Sequence, residues 1–177
     1  MNKFISKIDN IKDLAYEIYT KLDKSTVPIF LCVGCDKFVC DSLAPIVAEK
    51  LKHEYNISAF VYGGLDYNIT ASNLVECINY IEAQHDGAQI VTIDATLGEN
   101  LGEIKLTKSC YPAFAKSLPK RKIGDFGILG VVGKNSADFN LNSTRLKVIM
   151  NMADDISLAI AMAVSIMPKC RAFSWVQ

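Results

Sequence analysis

Apolar side chains recur at Ile8, Ile11, Leu14, Ala15, Ile18 and Leu22, and these three- and four-residue spacings predict an amphipathic helix over residues 8–23. A nearly continuous apolar run follows, Pro28-Ile29-Phe30-Leu31-Cys32-Val33, closed by Gly34. It reads as a strand buried on both faces. Beyond a polar loop, Leu43, Ile46, Val47 and Leu51 restore the helical period, with Pro45 in the first turn, where its missing N–H costs nothing. Ile57 to Val61 predicts a second strand ending at Gly63-Gly64. Thr70 is placed to open a third helix with Leu74, Ile78 and Ile81 on its inner face. Residues 89–94 predict a third strand that ends on the carboxylate of Asp94, and Glu103 to Leu106 a fourth. Residues 108–122 read as a loop, Phe126 to Val132 as β structure, and Ser143 to Met167 as a long helix stopped before Pro168.

Helices alternating with buried strands imply an α/β fold, with helices on both faces of a mainly parallel sheet. There is no long linker and no internal repeat, so residues 1–177 are expected to form a single domain. Half of the side chains are hydrophobic and 21% are charged, which is a globular composition with enough material for a core. Lys plus Arg and Asp plus Glu each number 19, so there is no overall electrostatic footprint for nucleic acid. The one basic run, Lys120-Arg121-Lys122, reads as a solvated loop. No segment is expected to reach the ~20 apolar residues of a membrane span. The N-terminus mixes Lys3, Lys7 and Asp9 with apolar residues and is not read as a signal peptide. A cytoplasmic protein with six reduced cysteines is expected.

In open α/β sheets ligands bind outside the carboxyl ends of the strands. Asp94 falls at one such end, and Asp36 and Asp41 lie in the loop after the first strand. If the first and third strands are neighbours, Asp41 and Asp94 face one another. Two carboxylates held close do not ionise together; one keeps its proton while the other acts as base. The same pair could hold a divalent metal, joined by Asp36 and by His85 if that residue folds back. Each residue also has a structural role open to it: Asp41 as N-cap of the following helix, Asp94 as a tie for the next turn, Asp36 as a turn residue.

Cys32-Val33-Gly34-Cys35 has the spacing of a redox pair. Its first cysteine lies inside a strand, however, and the helix starts several residues later, so structural burial is expected. The other cysteines are scattered and form no zinc spacing. His53 and His85 are isolated. No P-loop, nucleophile elbow or dinucleotide fingerprint is present. No cofactor and no metal is assigned.

The segment Gly34-Cys35-Asp36-Lys37-Phe38-Val39-Cys40-Asp41-Ser42-Leu43-Ala44-Pro45 resembles the G-T-D-R-x-T-G-D-S-L-G-P stretch of YyaC-type sporulation proteins. Further blocks agree in order: Val61 to Asp66, Ile90 to Gly98, Ile123-Gly124-Asp125, and Asn142 to Leu146. That family is similar to the spore germination protease and, more remotely, to the hydrogenase-maturation peptidases. The resemblance implies a three-layer α/β/α sandwich with a mixed, mainly parallel sheet. It also implies an aspartic-type catalytic pair at Asp41 and Asp94, and a location in the forespore or spore core. The implied partners are proteins, namely small acid-soluble spore proteins or the germination protease, without direct nucleic-acid or membrane contact. A second copy of the chain is kept open as a further partner. Val39-Cys40 stands where the family has Thr-Gly or Thr-Pro, and Ala44 where it has Gly. Two functions therefore stand side by side: an endopeptidase cutting small spore proteins or a spore zymogen, and an inactive relative that binds and regulates the germination protease.

Overall fold

The computed structural model describes residues 10–108, 123–134, 140 and 143–168. Ile8, Cys110, the basic run Lys120-Arg121-Lys122, Asn142, Cys170 and the tail from Arg171 lie outside the described residues.

Among the described residues five strands form one mixed sheet in the order β2-β1-β3-β5-β4: β1 Ile29–Cys32, β2 Phe60–Tyr62, β3 Ile90–Gly98, β4 Ile104–Thr107 and β5 Phe126–Lys134. β1 pairs in parallel with both β2 and β3, and β3 in parallel with β5. Only β4 is antiparallel, along β5. The predicted double burial of the first strand follows from this: β1 has a strand on each side, helices over each face, and every residue buried.

The faces separate by the two-residue period of the strands. Phe30, Cys32, Val91, Ile93 and Ala95 point to one face, where they pack with α1 (Ile11–Lys21), α2 (Leu43–Glu49) and α4 (Leu146–Ser165). Ile29, Leu31, Val33 and Ile90 point to the other, against Leu74, Ile78 and Ile81 of α3 (Leu74–Gln84). The result is the expected layering of helix, sheet and helix.

Several boundaries differ from the sequence reading, each for a local reason. α1 starts at Ile11 because the Asn10 side chain caps it, accepting the Asp13 N–H at 2.9 Å. α2 runs on into a π-helical turn, Lys50–Glu54. Ile57 is then held by a bond from its N–H to the Leu51 carbonyl, so β2 begins only at Phe60. Thr70 does not open α3. Its N–H donates to Asn73 Oδ1 at 2.8 Å, and the helix starts one turn later.

α4 is the exception to the expected lack of membrane-length apolar segments: it has the length and the mean hydropathy of a span. Its buried side chains Ile149, Met152, Ala153, Ile156, Ile160, Ala163 and Val164 instead follow one helical face into the core. On the helix's outer side Asp154 pairs with Lys50 of the π-helical turn at 2.8 Å.

Candidate active site at the carboxyl end of the sheet

β1 is the point at which the strand order reverses, since the chain goes to β2 on one side and then to β3 on the other. A crevice opens at such a point outside the carboxyl ends of the two strands. The β1–α2 loop supplies one wall. Its neck is closed tightly: Gly34 N–H donates to the Ile69 carbonyl at 2.8 Å, and Cys35 N–H to the Asp41 carbonyl at 3.0 Å. Gly34 has φ +154°, and a Cβ there would run into the Asp41 carbonyl oxygen and Pro45. Only glycine lets the chain turn back on itself here.

The loop's far end forms a short 3₁₀ turn, Val39–Asp41, packed against β3, β5 and α4. Asp41 belongs to this turn and is half-buried. The residue that caps α2 is Ser42, which makes no side-chain capping bond. Burial pushes the Asp41 carboxyl up to about 6, with the Cys35 backbone amide pulling the other way.

Asp94 does not end its strand, as the sequence suggested. β3 continues to Gly98 because β5 stays paired with it as far as Lys134, through an irregularity after Thr96. β1 does stop at this level, since its last residue, Cys32, pairs with Ile93. Asp94 thus lies inside β3 yet at the carboxyl rim of β1. It is 5% exposed, and Oδ1 accepts its neighbour's Ala95 N–H at 2.8 Å. Its pKa is raised well above the ordinary carboxylate value, first by burial and then by the Asp41 charge. A negative charge on Asp41 thus works against a second one on Asp94. β1 and β3 are neighbours, and the two carboxyl groups interact across the rim.

The other candidates do not join them. Asp36 is exposed, with its N–H on Asn68 Oδ1 at 3.3 Å. His85 packs on Phe60, with ring centroids 4.1 Å apart, and bonds Tyr62 Oη through Nε2 at 2.7 Å. His53 lies beside Glu49 at 3.5 Å on an exposed helix face. Among the described residues no three His, Cys, Asp or Glu side chains converge as a metal site. Cys32 is wholly buried and its thiol is pushed up to about 12 by desolvation, so the C-x-x-C spacing marks a core position rather than a redox pair. Cys40 is buried beside Asp41, its thiol raised by burial and by the Asp41 charge.

Sequence reasoning missed Asn68. Its Nδ2 donates to the Gly64 carbonyl at 2.8 Å while its Oδ1 accepts Asp36 N–H, so it ties the loop after β2 to the loop that carries Asp41. Lys52 reinforces this by donating to the Gly63 carbonyl at 2.6 Å, and Glu49 by accepting Leu65 N–H at 2.9 Å. No periodicity or motif marks Asn68. The nearby Gly63-Gly64 pair was the only available signal, and it was read as a strand stop. The block Ile123-Gly124-Asp125 proves structural. Asp125 Oδ2 accepts Ile90 N–H at 2.9 Å, which fixes the amino end of β3, opposite the end that holds Asp94.

Comparison with known proteins agrees with this architecture. A crystal structure described as a [NiFe] hydrogenase maturation protease HycI from Thermococcus kodakarensis KOD1 superimposes with a TM-score of 0.56, covering 84% of this chain and 99% of that one at 17% identity. The likeness is one of fold. In sequence, the chain is 31% identical over 141 residues to "Uncharacterized protein YyaC" of Bacillus subtilis (strain 168), which spans 76% of this chain and 68% of the relative. The family described as "Protein of unknown function (DUF1256)" matches residues 3–159, and the chain belongs to this YyaC-containing family.

Proposed function

We propose that the protein is an endopeptidase of the carboxylate-pair type, with Asp41 as general base and Asp94 as general acid. The observation that carries this reading is the placing of two carboxyl groups at the rim between β1 and β3, both disfavoured as anions by burial, with the Asp41 charge further opposing ionisation of Asp94. Near neutral pH Asp41 is ionised and accepts a proton from a water molecule, which adds to the scissile carbonyl carbon. Asp94, whose ionisation burial and the Asp41 charge oppose, donates its proton to the carbonyl oxygen. As the tetrahedral adduct collapses and the C–N bond breaks, the amine takes the proton that Asp41 had accepted and a hydroxyl of the adduct returns a proton to Asp94. The resemblance of the Asp41 and Asp94 blocks to those of the germination protease supports small acid-soluble spore proteins, or a spore zymogen, as substrates. It also supports the forespore as the place of action.

One observation favours a second reading. Cys40, a buried thiol, stands directly before Asp41 where the resembling proteins have Gly or Pro, and it lengthens the apolar flank of the carboxylate. On this reading the protein binds and regulates the germination protease without cutting.

Incubation of the purified protein with a small acid-soluble spore protein, and separately with the germination-protease zymogen, tests both, with products read by intact mass. Discrete cuts that vanish in both Asp41→Asn and Asp94→Asn are expected. Stable co-elution with either partner and no cuts would replace the peptidase by the binding protein.

A further inference from the structure

The β3 extension that displaced Asp94 from its expected place has a second consequence. On one side of β3, pairing with β5 runs from Val91 to Gly98. On the other, pairing with β1 stops at Ile93. Val33 still donates its N–H to the Ile93 carbonyl at 2.9 Å, but at Gly34 the chain swings away, toward Ile69 and β2. Ala95 to Gly98 therefore stand beyond the end of β1, and among the described residues no strand lies against them on that side.

Backbone groups alternate sides along a strand. The Ile93 carbonyl faces β1, so the amide and carbonyl of Ala95 and then of Leu97 face the same side, past the end of β1; Ala95 itself is buried, at 1% exposed, and the edge comes out towards solvent only from Thr96 on. The Ala95 N–H is occupied in a manner foreign to a sheet, by its neighbour's carboxylate, Asp94 Oδ1 at 2.8 Å. The Leu97 carbonyl accepts from the Thr96 hydroxyl at 3.5 Å, a long contact. Thr96, Leu97 and Gly98 are half-buried, unlike the wholly buried stretch before them. The loop that carries Asp41 also carries Phe38, 41% exposed, and the loop after β2 carries the exposed Leu65 and Tyr67.

We propose that this protruding edge of β3, from Ala95 to Gly98 on the side of β1, is the docking site for substrate main chain: an extended polypeptide segment adds there as a further strand, in line with β1. Among the described residues no strand pairs with the Ala95 carbonyl and the Leu97 amide on this side, and groups in strand geometry match those of another extended chain, so the occupant is a polypeptide in β conformation rather than a helix or a small molecule. The open length, four residues at about 3.3 Å each, spans roughly 13 Å of main chain. The added strand passes Asp94 where it meets the end of β1. An incoming carbonyl that accepts the Ala95 N–H competes with the bond that Asp94 Oδ1 makes there, so docking frees that oxygen to turn to the scissile peptide. Substrates are thereby selected for an extended or unfolded cleavage segment, and the exposed Phe38, Leu65 and Tyr67 favour apolar side chains on it. The inference rests on the peptidase reading for its purpose, but not for its geometry.

The test uses the full-length Asp41→Asn variant as a non-cutting binder, and synthetic 12-residue peptides tiling one small acid-soluble spore protein as probes. The tightest peptide is remade in two forms, N-methylated at alternate residues in the one frame or in the other. Strand addition requires that one frame lose at least ten-fold in affinity and that the other bind nearly as before. It also requires that backbone amide resonances of Ala95 to Gly98 shift on binding. Equal loss in both frames, shifts confined to the outer strands β2 or β4, or no binding by any tiling peptide would overturn the proposal. Cleavage by the wild-type protein is read separately. Cutting without the frame dependence sinks the docking edge alone, whereas frame-dependent binding without cutting sinks the peptidase alone.

Discussion

Asp41 and Asp94 differ in one respect that sets their chemistry: how completely each is removed from water. Asp41, half-buried on a loop, is raised to about 6, while Asp94, inside a strand and next to the Asp41 charge, is raised well above the ordinary carboxylate value by burial first and then by that charge. If the pair performs peptide hydrolysis, kcat/KM follows a bell in pH. The acid limb falls near pH 6, where Asp41 must lose its proton, and the alkaline limb lies above it, where Asp94 loses its own. Replacing either by Asn is expected to lower cleavage about 10²- to 10⁴-fold, the usual contribution of a positioned acid or base, measured by initial rates on a small spore protein. A variant that retained most of the activity would remove that residue from the chemistry. The cysteines offer an independent check on burial. A charged maleimide applied to the folded protein, mapped by peptide mass, is expected to label the half-buried Cys35 and Cys77 and to spare Cys32 and Cys40.

At the scale of elements, the site depends on how two loops are closed. Gly34→Ala places a Cβ against the Asp41 carbonyl, a backbone atom that cannot step aside without moving the turn that holds the carboxylate. The expected cost is about 1–3 kcal/mol in urea unfolding, together with loss of cleavage. Thr144 plays a comparable part at the opposite wall. Its buried hydroxyl donates to the Val132 carbonyl at 2.6 Å and ties the end of β5 to the start of α4, so Thr144→Val is expected to cost about 1–3 kcal/mol by leaving that acceptor unpaired. Most of these elements were legible in the sequence because burial leaves a period. Two faces of apolar side chains wrote β1 as an unbroken run, and one face wrote α4 as threes and fours. What periodicity cannot show is where a strand stops when its neighbour does not. β3 was ended at Asp94 because a carboxylate looks like a terminator, yet β5 carries it on to Gly98. Asn68 was invisible for a related reason: a side chain that bonds two loops is set by their meeting in space, which no local pattern records.

Over the whole molecule, the fold brings Asp41 and Asp94 together by placing β1 at the reversal of strand order, and this has a cost to stability that can be measured. A carboxyl whose folded pKa is raised binds its proton more tightly folded than unfolded. Below about pH 4 both states are protonated and the two groups make no difference. As pH rises from there through the folded values, the unfolded chain ionises first, and stability falls until the folded groups have ionised too. For Asp41, lifted from 3.8 to about 6 but still partly open to screening solvent, the loss is about 1–2 kcal/mol, complete just above pH 6. Asp94 adds a further loss that extends to higher pH. Asn is nearly isosteric with a protonated carboxyl and cannot ionise. Asp94→Asn is therefore expected to melt with the wild type at pH 4 and above it at pH 8, by several degrees, since 1 kcal/mol moves Tm by about 2–4 °C in a chain of this size. The difference between variant and wild type is the quantity to read, because it cancels every other group that titrates over the same range. A variant that melts with or below the wild type at pH 8 would mean that Asp94 is not held against its charge. The assignment of Asp94 as the proton donor would then fail along with it. If instead the gain appears and cleavage is lost in the same protein, the site is one in which stability has been given up for chemistry.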